Sequence, residues 1–320
     1  MRKYIGLAIL TFFSLYLYIN TLFNLWVTQK VFFAVFIIFG VGLYLRLAIV
    51  FKDTRAIKKQ IPLKSRNLQG DFVMTFIGAM LTYGLSIELG LGAVLASGII
   101  GVFAALFMPK YAVAIFCGSF VGMSSVELLT LLPFTFASLV SATIFVFAKE
   151  VFNGYGGKLG TIALSSALIV TIVFREEYLE GAIFDVAQAL SIVAVSAVAA
   201  FITYVMSIRL LQGPVLSSAF IGVLAGGFFP IFFTELGPTL AVVAFGASFV
   251  GMSSKKIMPH EGVILIAGVL FGLIFVFSAP YFGGAGGKLG TIAFLSVLMV
   301  SGLYHFLKAL EDRKKCENSA

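Results

Sequence analysis

Apolar runs set the frame of this chain. Twelve of them follow one another, at 4–26, 31–51, 71–88, 90–108, 111–126, 128–148, 159–175, 183–207, 214–233, 239–254, 262–280 and 289–308. A run of about 18 or more residues with few charges reads as a transmembrane helix. Lipid offers no hydrogen-bond partners, so the backbone must satisfy its own polar groups within the segment. Composition agrees: 60% of the chain is hydrophobic and 11% charged, against about 45–50% and about 25% in soluble domains. No soluble domain of useful size is left over. This excludes a soluble globular enzyme, a disordered protein and a nucleic-acid binder, despite a net charge of +8. The expected fold class is an all-α polytopic membrane protein of about twelve transmembrane helices. Met1-Arg2-Lys3 followed by apolar residues looks like a signal peptide, but the apolar stretch runs on to Trp26. A signal h-region spans only ~7–15 residues, so this stretch is expected to stay as the first span.

Orientation follows from the basic residues. With the N-terminus in the cytoplasm, Arg2, Lys3, the 52–66 cluster, Lys110, Lys149, Arg209, Lys255, Lys256 and Arg313-Lys314-Lys315 fall inside. Lys30, Arg175 and Lys288 fall outside, beside Glu88, Glu127, Glu176, Glu177, Glu180 and Glu235. Both termini are then cytoplasmic, and a bacterial inner membrane is the expected location. The positive charge marks a face against anionic lipid.

An internal repeat carries most of the further information. Residues 82–109 and 203–230 match at 15 of 28 positions. After an eight-residue insertion around 234–238, GSFVGMSS at 118–125 meets ASFVGMSS at 247–254, with 7 of 8 identical. GGKLGTIA at 156–163 recurs unchanged at 286–293. Identity is concentrated in short polar and Gly-rich blocks, which duplication alone would not produce. Each unit holds five spans, 71–175 and 183–308. An odd number inserts the second copy upside down, the inverted-topology arrangement of many secondary transporters. The expected organisation is two leading helices (1–51), a basic cytoplasmic linker (52–70), the two five-helix repeats and a charged cytoplasmic tail (309–320). A competing count makes both FVGMSS segments re-entrant, with four spans per unit and parallel repeats. It places five basic residues outside instead of three, and the basic-residue rule favours inversion.

Two repeated motifs are the candidate site. In the first, Gly156, Gly157, Lys158 and Thr161, with Gly286, Gly287, Lys288 and Thr291 in the copy, open a helix after a Gly-rich loop. Glycines permit positive φ and close approach. A helix start presents unpaired N–H groups and partial positive charge. A lysine and a hydroxyl complete an anion site. Leu follows each lysine, so this is not a phosphate-binding GxxxxGK[ST] loop. The structural alternative is a Gly-rich turn whose lysine snorkels to headgroups. In the second motif, Ser119, Gly122, Ser124 and Ser125, with Ser248, Gly251, Ser253 and Ser254, lie late in a short span. They either let helices pack closely or mark a helix that unwinds beside a polar cavity. The spacing misses GxSxG by one residue, so no nucleophile elbow is read.

Other polar groups are less informative. Asp185 and Asp71 start spans, Arg46 is placed to snorkel, and Pro109 and Pro230 occupy equivalent span ends as helix stops. The abundant phenylalanine is assigned to lipid contact and packing. Cys117 and Cys316 suggest no disulfide. His260 and His305 stand apart, so no metal site, cofactor or acid–base constellation is expected, and the chain is not read as an enzyme. Its partners are the bilayer and a small-molecule or ion substrate, and a homo-oligomer is compatible. The functional expectation is a permease for a small anion or carboxylate moving between the repeats. The alternatives are a passive channel or a non-transporting scaffold or assembly subunit.

Overall fold

The computed structural model describes residues 2–56, 67–233 and 235–318. Among them the chain forms twelve α-helices. The leading pair is α1 (Arg2–Thr28) and α2 (Lys30–Ala56). Five follow as α3 (Leu68–Tyr83), α4 (Ala93–Phe107), α5 (Ala112–Val121), α6 (Leu131–Ala148) and α7 (Lys158–Phe174). Five more are α8 (Val186–Tyr204), α9 (Pro214–Phe232), α10 (Gly237–Gly251), α11 (Glu261–Ser278) and α12 (Lys288–Asn318). Eight helical segments are long and apolar enough to cross a membrane, as expected of an integral membrane protein. The other four, α4, α5, α7 and α10, have 10–17 residues. At 1.5 Å per residue, α5 extends only about 15 Å. The expected spans 111–126 and 239–254 are thus helical to Val121 and Gly251, then continue in non-helical chain.

The two five-helix sets have the same internal neighbours. In the first, α3 packs on α5 and α6, and α7 on α5 and α6. In the second, α8 packs on α10 and α11, and α12 on α10 and α11. The sets meet through α4 on α9 and α7 on α12. A five-residue π-helical turn ends the third helix at Gly84–Glu88, and another ends the eighth at Val205–Arg209. Each is followed by an irregular stretch that closes on a positive-φ glycine, Gly92 or Gly213. Single π turns inside helices recur at functional sites.

The centre of the molecule is the crossing of α7 and α12. Every residue from Lys158 to Leu168 and from Gly290 to Gly302 is buried. Gly160 faces Gly290 so closely that a Cβ on Gly160 would lie 2.5 Å from the Gly290 Cα. Around this crossing α1 packs on α6, and α2 runs along α12.

Several local expectations are corrected. Pro230 does not stop a helix: it sits inside α9, while its counterpart Pro109 does follow the end of α4. Residues 309–318 of the expected tail are helical and continue α12. Arg46 does not snorkel; it is buried and donates from Nε to the Tyr155 hydroxyl, with its guanidinium 5.2 Å from that ring's centroid. Asp185 does start its helix, as expected, by capping α8: its carboxylate accepts from Gln188 N at 2.8 Å and Gln188 Oε1 accepts from Asp185 N at 3.1 Å. Asp71 lies in the first turn of α3, as expected, and forms an ion pair with Lys149. Residues 57–66 of the expected linker, 1, 234 and 319–320 lie outside the described residues.

Candidate functional site

The repeated motifs cross over. The serine end of each FVGMSS segment holds the glycine loop of the opposite set. Ser125 N donates to Gly284 O at 2.9 Å, and Ser254 N donates to Gly154 O at 2.9 Å. Gly286 N donates to Ser124 Oγ at 3.1 Å, and Gly156 N donates to Ser253 Oγ at 3.1 Å. Gly157 and Gly287, which start α7 and α12, have φ of 79° and 90°. A side chain there would be strained, and it would also meet the backbone of the facing helix. Phe152 and Phe282, at equivalent positions of the two loops, hold φ of 52° and 56°. Such a conformation costs a bulky residue about 1–3 kcal/mol and is concentrated at functional sites.

The two lysines reach back to the ends of the preceding helices. Lys158 Nζ donates to Lys149 O at 2.8 Å, Val151 O at 3.0 Å and Asn153 Oδ1 at 3.4 Å. Lys288 Nζ donates to Tyr281 O at 2.5 Å and Ala279 O at 3.2 Å. These carbonyls follow α6 and α11, where helix ends carry unpaired acceptors and partial negative charge. Among the described residues no ion pair involves either ammonium. An ammonium has three donors. Those of Lys158 all point at oxygens, while Lys288 keeps one beyond its two bonds.

Each loop walls a cavity. One, of about 580 Å³, is lined by Ser124, Ser125, Gly286, Gly287, Lys288 and the strap residue Glu180. The other, of about 310 Å³, is lined by Gly156, Gly157, Lys158, Asn153, Lys149 and Met252. The strap is the connection between α7 and α8. It pairs with the second glycine loop through Leu179 N to Gly283 O at 3.2 Å. Tyr178 packs edge-on against Phe282 with centroids 5.5 Å apart, and the partial desolvation of its ring pushes the phenol up to about 12.

Not every expected site residue faces a cavity. Ser119 and Ser248 bond to Ser97 at 2.8 Å and Ser218 at 2.7 Å, deep in the core. Gly122 and Gly251 serve close packing: a Cβ would lie 2.6 Å from Ala79 O and 2.5 Å from Ala200 O. Thr161 and Thr291 bond back to Gly157 O at 3.5 Å and Gly287 O at 3.3 Å. Ser253 and Ser254 support the first glycine loop without lining its cavity. Sequence reasoning missed the Ser97 and Ser218 partners, the Arg46–Tyr155 link and the role of Phe120 and Phe249, which wall both cavities. The last pair was signalled, since each stands inside a repeated block. No protein-family model, curated protein or solved structure matches the chain.

Proposed function

We propose that this chain is a membrane transporter for a small anion or carboxylate-bearing solute. It would consist of two five-helix repeats of inverted topology, with a pathway through the two cavities. The observation that carries the reading is the pair of ammoniums at the cavity walls, Lys158 buried and Lys288 partly buried, each held by neutral oxygens. A buried charge without a counter-ion is costly, and an anion entering the cavity supplies that counter-charge. The starts of α7 and α12 add partial positive charge at the same place. The matched cross-repeat bonds support the repeat architecture. The distribution of Lys and Arg supports inversion, with both termini inside a bacterial cytoplasmic membrane. The short helices α5 and α10, ending beside the glycine loops, fit the discontinuous helices of alternating-access transporters.

A scaffold role is the second reading, favoured by the serines and glycines spent on packing. Flux separates the two. The purified chain in liposomes, given chloride, nitrate or acetate gradients, should move at least one of these anions. A charge-assisted hydrogen bond contributes about 1.5–3 kcal/mol. Lys288→Gln should therefore weaken binding of the transported anion about 10- to 150-fold. Lys158→Gln should have the smaller direct effect, because its donors are already engaged. Wild-type flux in both variants would make the lysines structural anchors, and no flux of any probe in a correctly inserted protein would favour the scaffold.

A further inference from the structure

The two cavities do not merge. Phe120 and Phe249 stand between them, and both rings line both cavities. Their centroids are 4.6 Å apart and their planes are inclined by 43°. Behind them lie Phe116, 4.6 Å from Phe120, and Phe245, 4.8 Å from Phe249. The cross pairs Phe120–Phe245 and Phe116–Phe249 close the cluster at 6.1 and 6.2 Å. Aromatic rings at such separations are in direct contact, so the partition between the cavities is a continuous apolar contact. The rear rings are wedged against backbone: a Cβ on Gly101 or Gly222 would lie 2.6 Å from Phe116 or Phe245. The front rings border open space on both sides.

We propose that Phe120 and Phe249 form the closed barrier of the permeation path, with Phe116 and Phe245 as its fixed backing. Resting on the transport reading, this names the residues that decide when a solute passes. An ion leaving one cavity meets the apolar rings of Phe120 and Phe249, which offer no hydrogen bond to replace the water it must shed. Hydrophobic constrictions of this kind close a pore by excluding water. A swing of either front ring into an adjoining cavity opens a route, and the repeat places one such ring on each side.

The test is conductance of the full chain in a planar bilayer under a potassium chloride gradient. Phe120→Ala/Phe249→Ala should raise conductance at least about tenfold, equivalent to about 1.4 kcal/mol off the crossing barrier. Detergent gel filtration checks that the variant stays monodisperse. If it does not, the single variants Phe120→Leu and Phe249→Leu carry the test. They keep apolar bulk but lose ring-on-ring contact, and conductance must still exceed that of wild type. Wild-type conductance in monodisperse variants overturns the barrier. The reversal potential reports separately on the substrate. A rise that follows potassium would leave the barrier standing and remove the anion reading.

Discussion

The crossing of α7 and α12 makes a quantitative expectation. Gly160 and Gly290 are in mutual backbone contact. A methyl on Gly160 would lie 2.5 Å from Gly290 Cα, 2.9 Å from Gly290 N and 3.0 Å from Gly287 O. Carbon atoms rest at about 3.5–4.0 Å, so Gly160→Ala falls short by about 1 Å at its nearest contact. The obstacle is backbone at the buried crossing, which cannot rotate away as a side chain would. Overpacking of this kind costs about 1–3 kcal/mol. The helix-propensity gain of Ala over Gly, about 0.5–1 kcal/mol, offsets only part of it. Gly227→Ala is the matched control. It lies within α9 with nothing within 4 Å of its Cβ, so it should gain that propensity term and be stabilised. Thermal unfolding of the purified protein in one detergent should therefore move the two variants in opposite directions. Because the crossing also positions both glycine loops, Gly160→Ala should lower flux while Gly227→Ala should not. A Gly160→Ala protein as stable and active as wild type would falsify the close crossing.

Other expectations concern single contacts. Ser124→Ala and Ser253→Ala each remove the acceptor of a buried loop N–H; each should lose about 1–3 kcal/mol in denaturant titration. Lys149→Ala leaves the mostly buried Asp71 carboxylate unpaired. The loss should fall between a surface and a fully buried pair, about 1–3 kcal/mol, and the charge-swapped double variant should recover part of it. Tyr155→Phe strips buried Arg46 of its hydroxyl acceptor and should cost about 1.5–3 kcal/mol in the same unfolding assay. Partial desolvation of Tyr178, which stays 37% exposed, raises its phenol from 10.0 to about 12. Its stabilising contribution should be constant below about pH 10 and decline from there as pH rises through 12. The unfolding temperature of wild type should fall relative to that of Tyr178→Phe over that interval.

The helical character and the long apolar segments were legible because lipid leaves the backbone few alternatives. The broken helices were legible only in part. Glycines and serines at 118–125 and 247–254 marked where α5 and α10 end. The non-helical chain beyond them depends on partners from the opposite set, which sequence spacing does not reveal. Lys158 and Lys288 show the same limit. Their place beside a helix start was visible, but their bonds to carbonyls seven and nine residues earlier depend on how the loop turns back. Phe120 and Phe249 were marked only by their place inside the repeated blocks; phenylalanine numbers 35 in this chain, and hydropathy does not separate these two from the rest. Arg46 was misplaced because nothing in α2 announces a partner 109 residues away.

Inverted repeats around a shared pathway are the centre of this account, and single-cysteine labelling tests them most directly. Asn153 and Pro280 are exposed residues of the two equivalent loops. With Cys117→Ala and Cys316→Ser as background, Asn153→Cys and Pro280→Cys would be treated with a membrane-impermeant thiol reagent in sealed, oriented vesicles. The account expects Asn153→Cys to react from the cytoplasmic face only and Pro280→Cys from the opposite face only. Reaction of both from the same face would contradict the inverted arrangement, and with it a pathway running between two oppositely facing cavities.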